Sequence, residues 1–220
     1  MSIRIPRPAQ ILVTRSERKQ RTRESLLDAA LKLMSEGRSF TSLGLREITR
    51  QAGVVPTSFY RHFRDMDELG LALVEDGGMT LRRMLREARK AGVPSGDMIR
   101  RSVQIYKAYV EANRLQFLFV AGERSGGSPL IRRAIRSEVN HFTNEMADDL
   151  RTLNLLPALS TATLQMICGL VVTTMLNAAT DFLDLPAGQA QAEKEMEDTV
   201  VKQLRLIFLG AARWKDKPAR

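Results

Sequence analysis

Cysteine and histidine are nearly missing from this chain: Cys168 is the one thiol, and His62 and His141 are the two imidazoles in 220 residues. A single thiol cannot close an internal disulfide, and Cys168 lies among Ile167, Gly169, Leu170 and Val171, where a small hydrophobe belongs. No Cys/His metal spacing, phosphate-binding glycine loop or GxSxG elbow occurs. His141 and Glu145 stand four apart on one helix, but such a pair is more often a surface hydrogen bond than an acid/base couple. An enzyme is therefore not expected, nor is a metal or cofactor. The first residues also lack a continuous apolar core and a small-residue cleavage site, so no secretory signal is read and the cytoplasm is the expected compartment. The longest uncharged run, Thr152 to Thr180, is interrupted by Asn154, Pro157, Ser160, Gln165, Asn177 and several threonines. It reads as a helix buried in protein, and no membrane is expected as a partner.

Sustained apolar/polar alternation is absent too, whereas apolar residues recur at helical spacing almost throughout, so the expected fold is all-α with about nine helices. A first helix is read from about Arg18 to Glu36, stopped by Gly37. Short helices follow, from about Leu45 to Ala52 and Thr57 to Phe63, and then a long one from about Met66 to Lys90 capped by Asp65. Gly92, Pro94 and Gly96 mark a linker. Beyond it, Ile99, Val103, Tyr106 and Val110 form a stripe, and Leu115 to Ala121 a short apolar segment. The clearest stripe is Ile131, Ile135, Val139, Phe142, Met146, Leu150 and Leu153. A helix apolar nearly all round, from about Leu159 to Leu183, precedes a last one faced by Met196, Val200, Leu204, Ile207 and Ala211.

The charge is uneven. Residues 1–64 hold 13 Lys and Arg against 5 Asp and Glu, a surplus of 8, while the rest hold 21 against 20. Charge alone fits a polyanion-binding head, a solvated basic face or a membrane-surface patch. The helices at residues 45–63 favour the first. Two short helices joined at a glycine, with a preceding helix to pack on, meet the description of a helix-turn-helix. Leu45, Ile48 and Ala52 would face a small core, with Val54 and Phe59 filling the angle. Thr57, Ser58, Tyr60, Arg61 and His62 are left near the outer face, where hydroxyls and a positive charge can meet base edges and phosphates.

The stretch Thr41 to Leu69, TSLGLREITRQAGVVPTSFYRHFRDMDEL, resembles the DNA-binding module of TetR-type repressors, above all in Phe59-Tyr60-Arg61-His62-Phe63. The resemblance implies a basic arm at residues 1–15, a DNA-binding domain at 16–64 and a ligand-binding and dimerisation domain at 65–220. It further implies a homodimer joined through its last two helices on a palindromic double-stranded operator. Tyr60 and His62 would touch phosphates, Thr57, Ser58 and Arg61 would lie near base edges, Arg46 would reach a base or phosphate, and Thr22 and Arg23 would add backbone contacts. Where many such repressors have a phosphate-binding lysine, this chain has Met66 among Asp65, Asp67 and Glu68, which leaves Arg64 or the arm as the substitute. PTSFYRHFRDMDELG together with GERSGGSPLIRRAI, Gly122 to Ile135, is similar to the FabR and DesT type, which implies control of unsaturated fatty-acid synthesis and a long-chain acyl-CoA or acyl-ACP effector. A repressor of efflux or catabolic genes with another hydrophobic effector, and an acyl-thioester-binding protein without DNA binding, are the alternatives.

An effector pocket in such a body would be mostly apolar. Ile105, Tyr109, Phe117, Phe142, Met146, Met166 and Leu170 are its candidate walls, although each also suits plain core. Arg124, Arg132 and Arg133 could meet the phosphates of a nucleotide-bearing thioester or simply be solvated. Gly77-Gly78, mid-helix, is read either as a hinge or as a site of close packing.

Overall fold

A computed structural model describes residues 14–90, 98–186 and 188–216. Among them are nine α-helices and no strand: α1 Arg15–Met34, α2 Leu45–Gln51, α3 Pro56–Phe59, α4 Met66–Lys90, α5 Met98–Ala112, α6 Arg114–Ser125, α7 Pro129–Thr152, α8 Thr161–Asp184 and α9 Ala190–Arg213. A 3-10 turn over Phe40–Ser42 joins α1 to α2. The all-α expectation holds. The glycine and proline linker around residue 94 lies outside the described residues, and so does the basic arm except at its end.

That end is a correction. Arg15 begins α1 and Thr14 caps it, because Thr14 and Glu17 form a capping box: the Thr14 hydroxyl accepts from the Glu17 N–H at 3.2 Å, and the Glu17 carboxylate accepts from the Thr14 N–H at 2.7 Å. Gly37, at φ +83°, turns the chain out of α1 as expected. Pro56 occupies the first turn of α3, and the Asp65 carboxylate accepts from the Glu68 N–H at 2.8 Å, capping α4. The Ser160 hydroxyl accepts from the Thr163 N–H at 3.2 Å to start α8. The Asp216 carboxylate, beyond α9, holds that same turn through the Thr163 hydroxyl and the Ser160 N–H, and these bonds lower its pKa.

Two large cores follow from the stripes. The first joins the head to the body: Leu26 and Ala30 of α1, Ile48 of α2 and Phe59 of α3 are buried with Leu69 of α4, Phe119 of α6 and Ile131 of α7. Phe40 meets Phe119 edge-on at 5.8 Å. The second binds α5 to α8 and α9 through Val103, Tyr106, Val171, Phe182, Val200 and Leu204. Burying each such side chain contributes about 1.5–3 kcal/mol. By length and mean hydropathy, 1.5, α8 could cross a membrane; here it packs against α5, α6, α7 and α9.

Candidate DNA-binding surface and effector cavity

The angle between α2 and α3 is set by Gly53, at φ +67°, and by the Val54 N–H, which donates to the Thr49 carbonyl at 2.9 Å. Ile48 and Phe59 are fully buried inside that angle, with Leu45, Ala52 and Val54 packed around them. Only Pro56–Phe59 is regular helix; turns carry the chain through Phe63, whose N–H donates to the Phe59 carbonyl at 3.0 Å. Arg46, Thr57, Tyr60 and Arg61 are exposed, while Ser58 and His62 are half-buried. Tyr60 stands edge-on to Phe59 with its ring outward. Burial, followed by the charges of Lys19, Arg23 and Arg61, lowers the His62 pKa, so the imidazole is neutral at neutral pH.

Thr22 and Arg23 are half-buried and engaged within the fold. The Thr22 hydroxyl donates to the Arg18 carbonyl at 2.9 Å. Arg23 pairs with Asp76 of α4 at 3.1 Å and stacks over the Phe63 ring at 5.5 Å, tying α1 to α4. Arg64 is exposed at the start of α4, where its N–H and Nε donate to Glu68.

Behind the head, helices α4 to α9 enclose a cavity of about 440 Å³ with an almost wholly hydrocarbon wall. Of the residues expected there, Tyr109, Phe117, Phe142 and Met146 line it. Ile105 is half-buried off the wall, and Met166 and Leu170 are corrected outright: they are 51 % and 52 % exposed on the outer face of α8. Because α8 is apolar nearly all round, its sequence does not mark which face turns inward; Val171, Val172 and Met175 do so instead. Sequence reasoning also missed Tyr106, Gln116, Glu138 and Phe208 as wall residues.

The wall has few polar groups. The Gln116 amide donates to the Leu73 carbonyl. Glu138 pairs with Arg82, which also lies 3.6 Å from Glu145, and Glu145 is bound by Arg86 at 2.8 Å. His141 faces Glu138 at 3.4 Å rather than Glu145. The Tyr106 hydroxyl is buried without a hydrogen-bond partner among the described residues, and its ring meets Phe117 edge-on at 5.8 Å. Burial pushes its pKa up, and Arg124 offsets this only in part.

Gly77 and Gly78 are sites of close packing. A Cβ at Gly77 would lie 2.5 Å from Gln116 Nε2 and 2.8 Å from its Cγ, and one at Gly78 would overlap the Glu138 carboxylate. A contact between body and head runs through Glu123 of α6, which is 1 % exposed: its Oε1 accepts from the Phe40 N–H at 3.0 Å. Its Oε2 abuts Gly127, where any Cβ would collide, and Arg132 clamps this loop by donating to the Gly126 and Gly127 carbonyls at 2.6 and 2.7 Å. Arg132 is thus committed to its own loop, and Arg124 donates to Asn177 at 3.3 Å. On the outer face of α8 and α9, Leu206 and Leu209 are exposed along with Met166 and Leu170.

Comparison with known proteins agrees with this arrangement. Residues 95–210 match the family described as tetracyclin repressor-like, C-terminal domain, and residues 26–73 match the bacterial regulatory proteins of the tetR family. A fatty acid degradation regulator, FadR, from Bacillus halodurans superposes with a TM-score of 0.67 at 13% identity, covering 86% of this chain and 95% of that one. A transcriptional regulator from Rhodococcus sp. Rha1 gives 0.63 at 20% identity, with 89% and 98% covered. A tetR-family regulator from Streptomyces coelicolor gives 0.63 at 20% identity, with 88% and 82% covered. At these identities the likeness is one of fold, and the matched domains supply the family. The chain belongs to the TetR family of bacterial transcriptional regulators and is a DNA-binding regulator rather than an enzyme.

Proposed function

We propose that this regulator is a homodimeric repressor of unsaturated fatty-acid synthesis whose cavity takes the acyl chain of a long-chain acyl-CoA or acyl-ACP. The hydrocarbon wall of the cavity carries this reading, because it rewards burial of a long alkyl body and offers little to a polar ligand. The FabR-like and DesT-like loop at Gly122 to Ile135 supports it, as does the fold shared with a regulator of fatty acid degradation. In this scheme Arg46, Thr57, Ser58, Tyr60, Arg61 and His62 form the operator surface. Met166, Leu170, Leu206 and Leu209 would pack against the same residues of a second copy. The domains would meet near residue 64, and the molecule would work in the cytoplasm.

The effector acts only through unequal affinity for the two head spacings. Since α4 leaves the head at Met66 and then lines the cavity from Val74 to Leu85, it is the element through which occupancy would reach the operator surface. The test is a titration of a labelled palindromic duplex, selected from a random pool, with palmitoyl-CoA and oleoyl-CoA. Opposite shifts in affinity are expected. Indifference to both, with release by another apolar compound, would move the assignment to a repressor of efflux or catabolic genes. Arg46→Ala with Tyr60→Ala should abolish the salt-dependent binding; duplex binding that survives the pair would remove the operator surface described above.

A further inference from the structure

The cavity wall carries Ser102, Tyr106, Tyr109, Gln116 and Glu138, and among these polar residues Tyr106 is the one with a buried side-chain oxygen that has no partner among the described residues. The Gln116 amide is spent on the Leu73 carbonyl and Glu138 on Arg82. The Tyr106 side chain is 2 % exposed, yet its hydroxyl has no hydrogen-bond partner among the described residues. A buried hydroxyl left in this condition costs about 1–3 kcal/mol, whereas phenylalanine would fill the same space without that cost. A phenol is both donor and acceptor, so it can complete its bonding with an oxygen brought in by a ligand.

The charge of the wall limits that oxygen. Arg82, which reaches the wall through Glu138, is already bound to two carboxylates, Glu138 and Glu145, and Arg124, whose charge reaches Tyr106, is not a wall residue and donates to Asn177. A carboxylate entering the cavity would therefore lose its hydration, gain no uncommitted cation from the wall residues and face Glu138. A neutral carbonyl meets no such penalty, since it needs one donor and the rest of its molecule needs only hydrocarbon.

We propose that Tyr106 is a polar anchor of the effector site, donating a hydrogen bond to an uncharged carbonyl oxygen on an otherwise apolar ligand, and that the cavity thereby selects neutral carbonyl compounds over free carboxylates. This deepens the acyl-thioester reading and rests on it, with the thioester carbonyl as the matching oxygen. The hydroxyl is a recognition group and not a packing device.

The test uses the full-length protein and its Tyr106→Phe variant, with affinities for 2-tridecanone, tridecane, dodecanoate and dodecanoyl-CoA read by displacement of the neutral dye Nile red. In the wild type, 2-tridecanone binds more tightly than dodecanoate. In the variant, 2-tridecanone weakens about fivefold, the loss of one net hydrogen bond, and tridecane is unchanged. Urea denaturation of the ligand-free variant shows stability equal to the wild type or higher, a result that a hydroxyl serving the fold would not give. Equal affinity of both proteins for 2-tridecanone, an equal loss for 2-tridecanone and tridecane, or a less stable variant each overturns the anchor. If dodecanoyl-CoA binds both proteins alike, the acyl-thioester reading stands and the anchor falls. If 2-tridecanone discriminates and dodecanoyl-CoA does not bind, the anchor stands and the thioester reading falls.

Discussion

Replacing Gly77 by alanine puts two physical effects in opposition. Alanine is favoured over glycine inside a helix by about 1 kcal/mol, so if Gly77 were an unpacked hinge the change would stabilise α4. In the structure the new methyl meets Gln116 at Nε2, Cγ and Cδ, at 2.5, 2.8 and 2.9 Å, so the whole side chain has to move and not merely its tip. Overpacking of this kind costs about 1–3 kcal/mol, and displacing Gln116 also removes its bond to the Leu73 carbonyl, worth about 1 kcal/mol. The penalties exceed the gain, and a net loss of about 1–3 kcal/mol is expected. For a chain of this length that lowers Tm by about 2–12 °C. Gly122→Ala is the control, because its Cβ meets nothing within 4 Å inside α6, and it should raise Tm by up to about 4 °C. Melts are compared at one protein concentration, since dimerisation contributes to Tm. A stabilised Gly77→Ala variant would refute the packing argument and restore the hinge.

Glu123→Ala strands the buried Phe40 N–H and removes a charge-assisted bond, so it should cost about 1.5–3 kcal/mol by urea denaturation, and Glu123→Gln, which keeps an acceptor, should cost less. Arg23→Ala should lose about 1 kcal/mol from its partly exposed pair with Asp76 and its contact with Phe63, while the salt dependence of duplex binding stays the same; a shallower dependence would show that it touches phosphate. His62 has its pKa lowered from 6.5, so the unfolded chain takes up the proton first, and stability present above pH 6.5 is lost as pH falls through the lower folded value. Phosphates beside the ring would favour its charged form, so duplex affinity should rise from pH 8 to pH 6, and His62→Asn should remove that rise in a binding titration.

Much of the helical layout was legible because the apolar stripes have one face each. Ile131, Ile135 and Leu150 are buried on α7 as their spacing predicts, and Asp65 and Gly37 bound their helices as expected. The capping box of Thr14 and Glu17 was equally legible, but the basic residues around it drew that segment into the arm. The cavity was half legible. Phe142 and Met146 lie on a helix with a polar opposite face, so their inward aim follows from period alone; Met166 and Leu170 lie on one without such a face. The tie of Arg23 to Asp76 was not legible in the sequence, because the partner comes 53 residues later. Glu123 and Tyr106 look like ordinary helix residues in sequence, and only the packing of distant segments makes one a tether and the other a buried donor.

In the dimer proposed above, the exposed hydrocarbon of Met166 and Leu170 on α8 and of Leu206 and Leu209 on α9 would tie folding to assembly. A lone copy must hold these side chains in water, so each gain from pairing is also a gain in resistance to unfolding, and dilution draws on both together. Changing any of the four to a charged residue would therefore weaken operator binding from a distance, by depleting the paired species that holds two heads in register.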